Sequence, residues 1–279
     1  MQEALVVALG RHRYRVERRW GQWPATAAQG FISQVAVDSC GRVYLLQRSD
    51  PPVLVFNPDG SAGGTLGSGV IADGHGIAVD ARDRVLVVDR DAHEIVGFDG
   101  AGAVVLRLGR RHQPSLGAPF SHPTDVAVAG NGEFYVSDGY GNSQVHRFAA
   151  DGRHLASWGR PGTGPGEFST PHAIWIDRQD RVLVADREND RVQVFDRAGR
   201  YLAEWRDFYH PMDLWEDGEG NVVVSDQIPR LSLMAPDGEL LGRCRGTLNG
   251  AHGVWGDRQG NLYLAELPPE RLTRLVRLD

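Results

Sequence analysis

The chain has almost no cysteine: two residues in 279, Cys40 and Cys244, far apart and outside any CxxC or other ligand-spaced cluster. That excludes a disulfide framework and a thiolate metal site, and free thiols in a reducing compartment are expected. Strong charge of either sign is also missing. A net charge of −6 gives no general attraction for nucleic acid or an anionic membrane surface, so neither is expected as a partner. Long apolar runs are absent. The segment MQEALVVALGRHRYRV has only six apolar residues in a row, too few for a signal sequence and far below the roughly 20 that span a bilayer. A cytoplasmic location is the expectation. No window keeps a convincing 3.6-residue apolar period, and no linker divides the chain.

What the chain does have is one unit repeated six times. Copies begin near residues 32, 74, 123, 171, 211 and 251, and each reads as apolar alternation, Asp, turn, apolar alternation, polar turn, apolar alternation, Asp-Gly turn. Four short strands in Val, Ile, Leu, Tyr and Trp, punctuated by Gly, Asp and Asn, make an antiparallel blade. A repeat of this length predicts an all-β, six-bladed β-propeller, one domain over residues 1–279, in which radial closure protects sheet edges. The sixth copy runs out after three strands. The N-terminal segment RYRVERRWGQW (13–23) resembles the outermost strands HLASWG (154–159) and YLAEW (201–205), so it is expected to close the last blade. The Gly-rich GRPGTGPGEF (159–168) reads as a loop, because GxGxxG spacing fails at Glu167 and no helix pattern follows.

Aligning the copies on Asp38, Asp80, Ala129, Asp177, Asp217 and Asp257 puts Ser33, His75, Thr124, His172, Met212 and His252 at one position. Histidines fall in blades two, four and six, which sixfold geometry sets about 120° apart. Three imidazoles converging on an axis match a Zn²⁺ tripod with an open fourth position; iron or another divalent transition metal would suit the same donors. Taken singly, each histidine could instead satisfy a backbone group beside a tight turn. His122 and His210 sit two residues earlier in their repeats and read as loop histidines.

The stretches PTDVAVAGNGEFYVSDGYGNSQVHRF (123–148) and PHAIWIDRQDRVLVADRENDRVQVF (171–195), with their DGYxNS and ADREN motifs, resemble the NHL-repeat propellers and within them the peptidyl-α-hydroxyglycine α-amidating lyase family. The resemblance implies a catalytic zinc on His75, His172 and His252. It implies a tyrosine base at Tyr140 and two arginines at Arg187 and Arg48 that serve the substrate carboxylate and the charge of the site. The chemistry it implies is cleavage of the C–N bond of an N-acyl-α-hydroxyglycine to an amide and glyoxylate. Read as residues alone, Tyr140 could be an exposed turn aromatic and Arg187 could pair with Asp186 or Glu188. Two departures stand out: the family's cysteine after the tyrosine is Gly141, and the aspartate of its calcium site is Gly253, which counts against calcium. The expected function is therefore a metal-dependent lyase acting on a small α-hydroxy or hemiaminal carboxylate. The alternatives are a metal-dependent hydrolase of a small substrate and a non-catalytic NHL scaffold that binds a partner.

Overall fold

The computed structural model describes residues 5–24, 27–28, 30–246, 249–269 and 271–279. The described chain is strand throughout, apart from turns, loops and one 3-10 turn at Arg187–Asn189. Its strands form six antiparallel sheets, five of them four strands each taken in chain order. The expected architecture is the observed one, an all-β, six-bladed β-propeller. No helix among the described residues is long and apolar enough to cross a membrane.

The aligned aspartates explain why each repeat turns where it does. Asp80 accepts the backbone N–H groups of Arg82 and Arg84 at 2.9 Å on one oxygen and Arg84 Nε at 2.7 Å on the other. Asp38, Asp177, Asp217 and Asp257 repeat the backbone pattern. This is the Asx-turn use of aspartate, a side chain standing in for a backbone acceptor while the hairpin reverses. Blade three has Ala129 there, and Asn131 accepts the Glu133 N–H at 3.1 Å instead.

The chain divides into two compact units. The unit of residues 67–211 holds blades two, three and four, whose first strands are Gly74–Val79, Asp125–Val128 and Pro171–Ile176. Its core between blades three and four packs Tyr135, Val145, Phe168, Ile174, Val182 and Phe195. The other unit, residues 1–66 and 212–279, holds blades one, five and six. Trp20, Ile32, Leu45, Phe56, Tyr263 and Leu272 form a core there between blades one and six.

Blade six has five strands, and two of them come from the N-terminal end. The strand His12–Glu17 pairs with Arg271–Arg277, Tyr14 opposite Arg277, and Val6–Leu9 adds a further strand outside it. Regular pairing stops at Glu17 rather than running on to residue 23. Trp20 turns away to pack edge-on against Tyr263, with ring centroids 5.2 Å apart.

Candidate active site

Each aligned histidine lies in the first strand of its blade, and its geometry is a β-bulge. Opposite Asp89 and Val88 stand Gly74 and Gly76, so His75 is the extra residue with no partner across the ladder. His172 lies in the same way between Pro171 and Ala173, and His252 between Ala251 and Gly253. A bulge re-aims the extra side chain out of the regular pleat. All three imidazoles are buried, with 2%, 2% and 5% of their surface exposed.

The residue after the aligned position alternates as well: Gln34, Asp125 and Asp213 in the odd blades, Gly76, Ala173 and Gly253 in the even ones. Packing accounts for this. A Cβ at Gly76 would lie 2.8 Å from Asp125 Oδ1, and one at Gly253 would lie 1.7 Å from Gln34 Oε1. The long polar side chains reach across to the small residues, and Asp125 and Asp213 accept the N–H groups of Ile174 and Val254 at 3.0 and 2.6 Å. Burial pushes the Asp213 carboxyl up to about 7. Because Gln34 fills the space beside Gly253, the aspartate that the resemblance would require for calcium has no room there.

In the unit of residues 67–211, four predicted side chains meet. The His75 and His172 rings are 4.9 Å apart and nearly perpendicular, and Tyr140 lies 5.2 Å from the first and 6.2 Å from the second. His75 Nδ1 is 2.7 Å from the Thr124 carbonyl, which can only accept, so Nδ1 carries the proton. Nε2 is then a lone pair, and the Tyr140 hydroxyl donates to it at 2.9 Å. The Thr124 hydroxyl in turn lies 2.8 Å from the Pro171 carbonyl, beside His172. Arg187 stands over the Tyr140 ring, 5.6 Å from its centroid, with one Nη 3.4 Å from the hydroxyl. Its other contacts run to Glu188, at 2.6 and 2.8 Å. Asp186 is instead taken by the buried Arg191 at 2.8 Å.

In the other unit, Arg48 lies over the Phe31 ring at 5.1 Å, and that ring meets His252 edge-on at 6.2 Å. Arg48 is thus joined to its histidine through an aromatic ring. Of the three predicted ligands, His75 and His172 lie in one unit and His252 in the other, and each is a buried imidazole of the kind that ligates a transition metal.

The loop histidines stand in left-handed backbone, His122 at φ 59° and His210 at φ 46°. Arg90, which the resemblance does not point to, stands over Tyr140 at 5.6 Å, the same distance as Arg187. The Gly-rich loop holds its own anion: the Glu167 carboxylate accepts the Gly164 N–H and Arg160 Nε, both at 2.9 Å. Cys40 and Cys244 are free thiols. A Cβ at Gly141 would stand 2.2 Å from Ser121 Oγ, so no side chain fits there without a shift of Ser121.

Fold and repeats define the class first: a family described as a six-bladed beta-propeller matches residues 119–210. The NHL repeat-containing protein 3 of Mus musculus is 31% identical over 91% of this chain and 82% of its own length. The chain belongs to this NHL-repeat family. Peptidyl-alpha-hydroxyglycine alpha-amidating lyase 1 of Drosophila melanogaster is 29% identical over 62% of this chain and 39% of its own length. Among solved structures, a gluconolactonase of Xanthomonas campestris superposes with a TM-score of 0.74 at 18% identity, covering 97% of this chain and 91% of the other, and shares the fold.

Proposed function

We propose that this protein is a metal-dependent lyase that cleaves the C–N bond of a small α-hydroxy carboxylate, with His75, His172 and His252 as metal ligands, Tyr140 as the base and Arg187 and Arg48 as the cationic residues. One observation carries the reading: the Tyr140 hydroxyl donates to the lone pair of His75 Nε2, the atom a metal would take, with the Arg187 guanidinium above it. A structural tyrosine at a turn has no need of that partner. The donor set fits a transition metal, since all three ligands are buried neutral-capable imidazoles on bulges in alternate blades, and the Thr124 carbonyl holds the His75 tautomer that frees Nε2. Zinc or another divalent transition metal bound there would polarise a coordinated hydroxyl and make its proton easier to remove.

The chain's own residues do the rest. Arg187 pairs with the substrate carboxylate and fixes the adjacent carbon beside Tyr140. The Tyr140 oxygen, as phenolate, takes the proton of the substrate hydroxyl. The C–O electrons close to a carbonyl, the C–N bond breaks with its pair on nitrogen, and the tyrosine proton passes to that nitrogen. An N-acyl-α-hydroxyglycine would give an amide and glyoxylate, with no other reactant. A cytoplasmic single-domain protein acting on a small molecule, rather than on nucleic acid or membrane, goes with this reading.

The test is metal analysis of protein purified without an affinity metal column, joined to glyoxylate release from a simple N-acyl-α-hydroxyglycine. One tightly held transition metal per chain is expected, and changing any of His75, His172 or His252 to Ala should lower occupancy steeply. Full occupancy in all three variants would overturn the ligand assignment. A metal-loaded chain inert on a panel of α-hydroxy acids and hemiaminals would favour the scaffold reading, with which the NHL relative matched over most of the chain agrees equally well.

A further inference from the structure

Three arginines of the chain occupy one register position, directly after the last residue of the second strand of a blade: Arg48 after Gln47, Arg90 after Asp89 and Arg187 after Asp186. The backbone treats them alike. Their N–H groups donate to the carbonyls of Phe31, Asp73 and Thr170 at 2.8, 2.9 and 3.2 Å. The proposed lyase site uses Arg48 and Arg187. Arg90 belongs to the same unit as Tyr140, His75, His172 and Arg187, and its guanidinium carbon lies 5.6 Å from the Tyr140 centroid, as that of Arg187 does.

We propose that Arg90 is a specificity-determining residue, and that with Arg187 it selects a substrate bearing a second anionic group besides the carboxylate next to the reacting carbon. The inference rests on the substrate-binding role given above to Tyr140 and Arg187. Arg90 is held in place from behind: one Nη is 2.7 Å from Asp73 Oδ2 and Nε is 2.9 Å from Asp91. Those contacts use two of its three nitrogens and leave the second Nη, with two N–H donors, for a ligand. Arg187 has the same economy, with Nε and one Nη on Glu188 and the other Nη making only the 3.4 Å contact with the tyrosine hydroxyl. A guanidinium fork matches a whole carboxylate or phosphate group, so two oriented forks flanking one phenol suit two anionic groups better than one. The acids behind them neutralise both arginines while no ligand is bound. A second group two or three bonds from the reacting carbon is within reach of a fork that stands beside the same ring.

If Arg90 were only a clamp for Asp73 and Asp91, its loss would lower stability and leave selectivity alone. The two roles separate in a binding experiment with the full chain. Lactate, malate and 3-phosphoglycerate are all 2-hydroxy acids and differ in carrying no second charge, a carboxylate or a phosphate. By calorimetry, wild type should bind malate or 3-phosphoglycerate about tenfold or more tightly than lactate, the scale of one charged hydrogen bond, and the better of the two arms identifies the second group. Arg90→Gln should erase that preference and leave lactate binding within about twofold, whereas Arg187→Gln should weaken all three ligands. Arg90→Lys keeps a cation facing Asp73, so it should fold and retain part of the preference even if Arg90→Gln destabilises the chain. A wild type that binds the three equally, or not at all, overturns the proposal, and so does an Arg90→Gln or Arg90→Lys variant whose preference is unchanged or whose affinities fall in parallel. Failure of the lyase reading would be seen apart from this, in metal content and glyoxylate release.

Discussion

One proton defines Tyr140. With Thr124 fixing the imidazole tautomer, the phenol is the donor in its bond to His75 Nε2, so the tyrosine oxygen already faces the atom a metal would bind. Tyr140→Phe removes that oxygen and leaves the ring and the three histidines. Metal content and melting temperature should stay as in wild type while turnover drops by about 10²–10⁴, the usual worth of a general base. Equal turnover in the variant would remove Tyr140 from the chemistry. Arg187→Lys keeps the charge but loses the planar fork, so KM should rise more than kcat falls. At this scale recurrence singled out the histidines and the DGYxNS and ADREN motifs singled out Tyr140 and Arg187, and the structure brings His75, His172, Tyr140 and Arg187 together in one unit. The signal for Arg90, an arginine directly after the terminal aspartate of the second strand in both blade two and blade four, was present but hidden, because the family motifs point only to the second instance. The bulge was also hidden, since a one-residue insertion leaves alternation of apolar residues almost unchanged, and the same bulge stands at Ser33 of blade one with Gln34 after it.

At the scale of elements, blade three keeps the backbone bonds of the common turn but lacks its aspartate, and an ion cluster is added beside it. Glu133, where the Asx aspartate is missing, accepts Arg147 Nη2 at 2.7 Å and Arg197 Nη2 at 3.1 Å. The Arg147 and Arg197 guanidinium groups, with hydrogen bonds from Asn131 and Tyr135, outweigh its partial burial and pull the carboxyl down to about 2. Because the folded value lies below the unfolded one, this contribution is present above about pH 4.5 and is lost as pH falls toward 2. It amounts to at most about 3 kcal/mol for a side chain with 14% exposure. Melting curves of wild type and Glu133→Gln should therefore differ at pH 6, wild type higher, draw closer below about pH 4.5, and converge only as pH falls to about 2. A gap that persists at low pH would mean that the glutamate acts through packing and not through charge. Turn chemistry made most hairpins readable in the sequence, and the blade that lacked the aspartate was readable only as an exception.

At the scale of the molecule, the six repeats and their alternation were enough to give the fold, since strand period and turn residues agree in every copy. The outer strand Val6–Leu9 was not legible, because it belongs to no repeat and earns its place by pairing Val7 with Tyr14 in the chain that closes blade six. Removing residues 1–17 strips two strands from that sheet and bares the Arg271–Arg277 edge. The truncated chain should aggregate or melt roughly 10 °C or more below wild type; unchanged melting would show that blade six does not depend on those strands. All 30 basic residues are arginine and none is lysine. No lysine amine is thus available to form a Schiff base with a substrate, and the basic side chains that can pair with its anionic groups are permanently charged guanidinium groups.

The closing sheet also sets a clock. Tyr14 cannot meet Arg277 until the ribosome has added every residue between them. At about 5–20 residues per second, the strand His12–Glu17 waits on the order of 10–50 s for its partner. Through that interval the other blades can form one after another, while the strands Val6–Leu9 and His12–Glu17 remain an open edge. Chaperone demand during synthesis should therefore concentrate on the strands Val6–Leu9 and His12–Glu17, and refolding of the released chain, in which both edges are present from the start, avoids that wait.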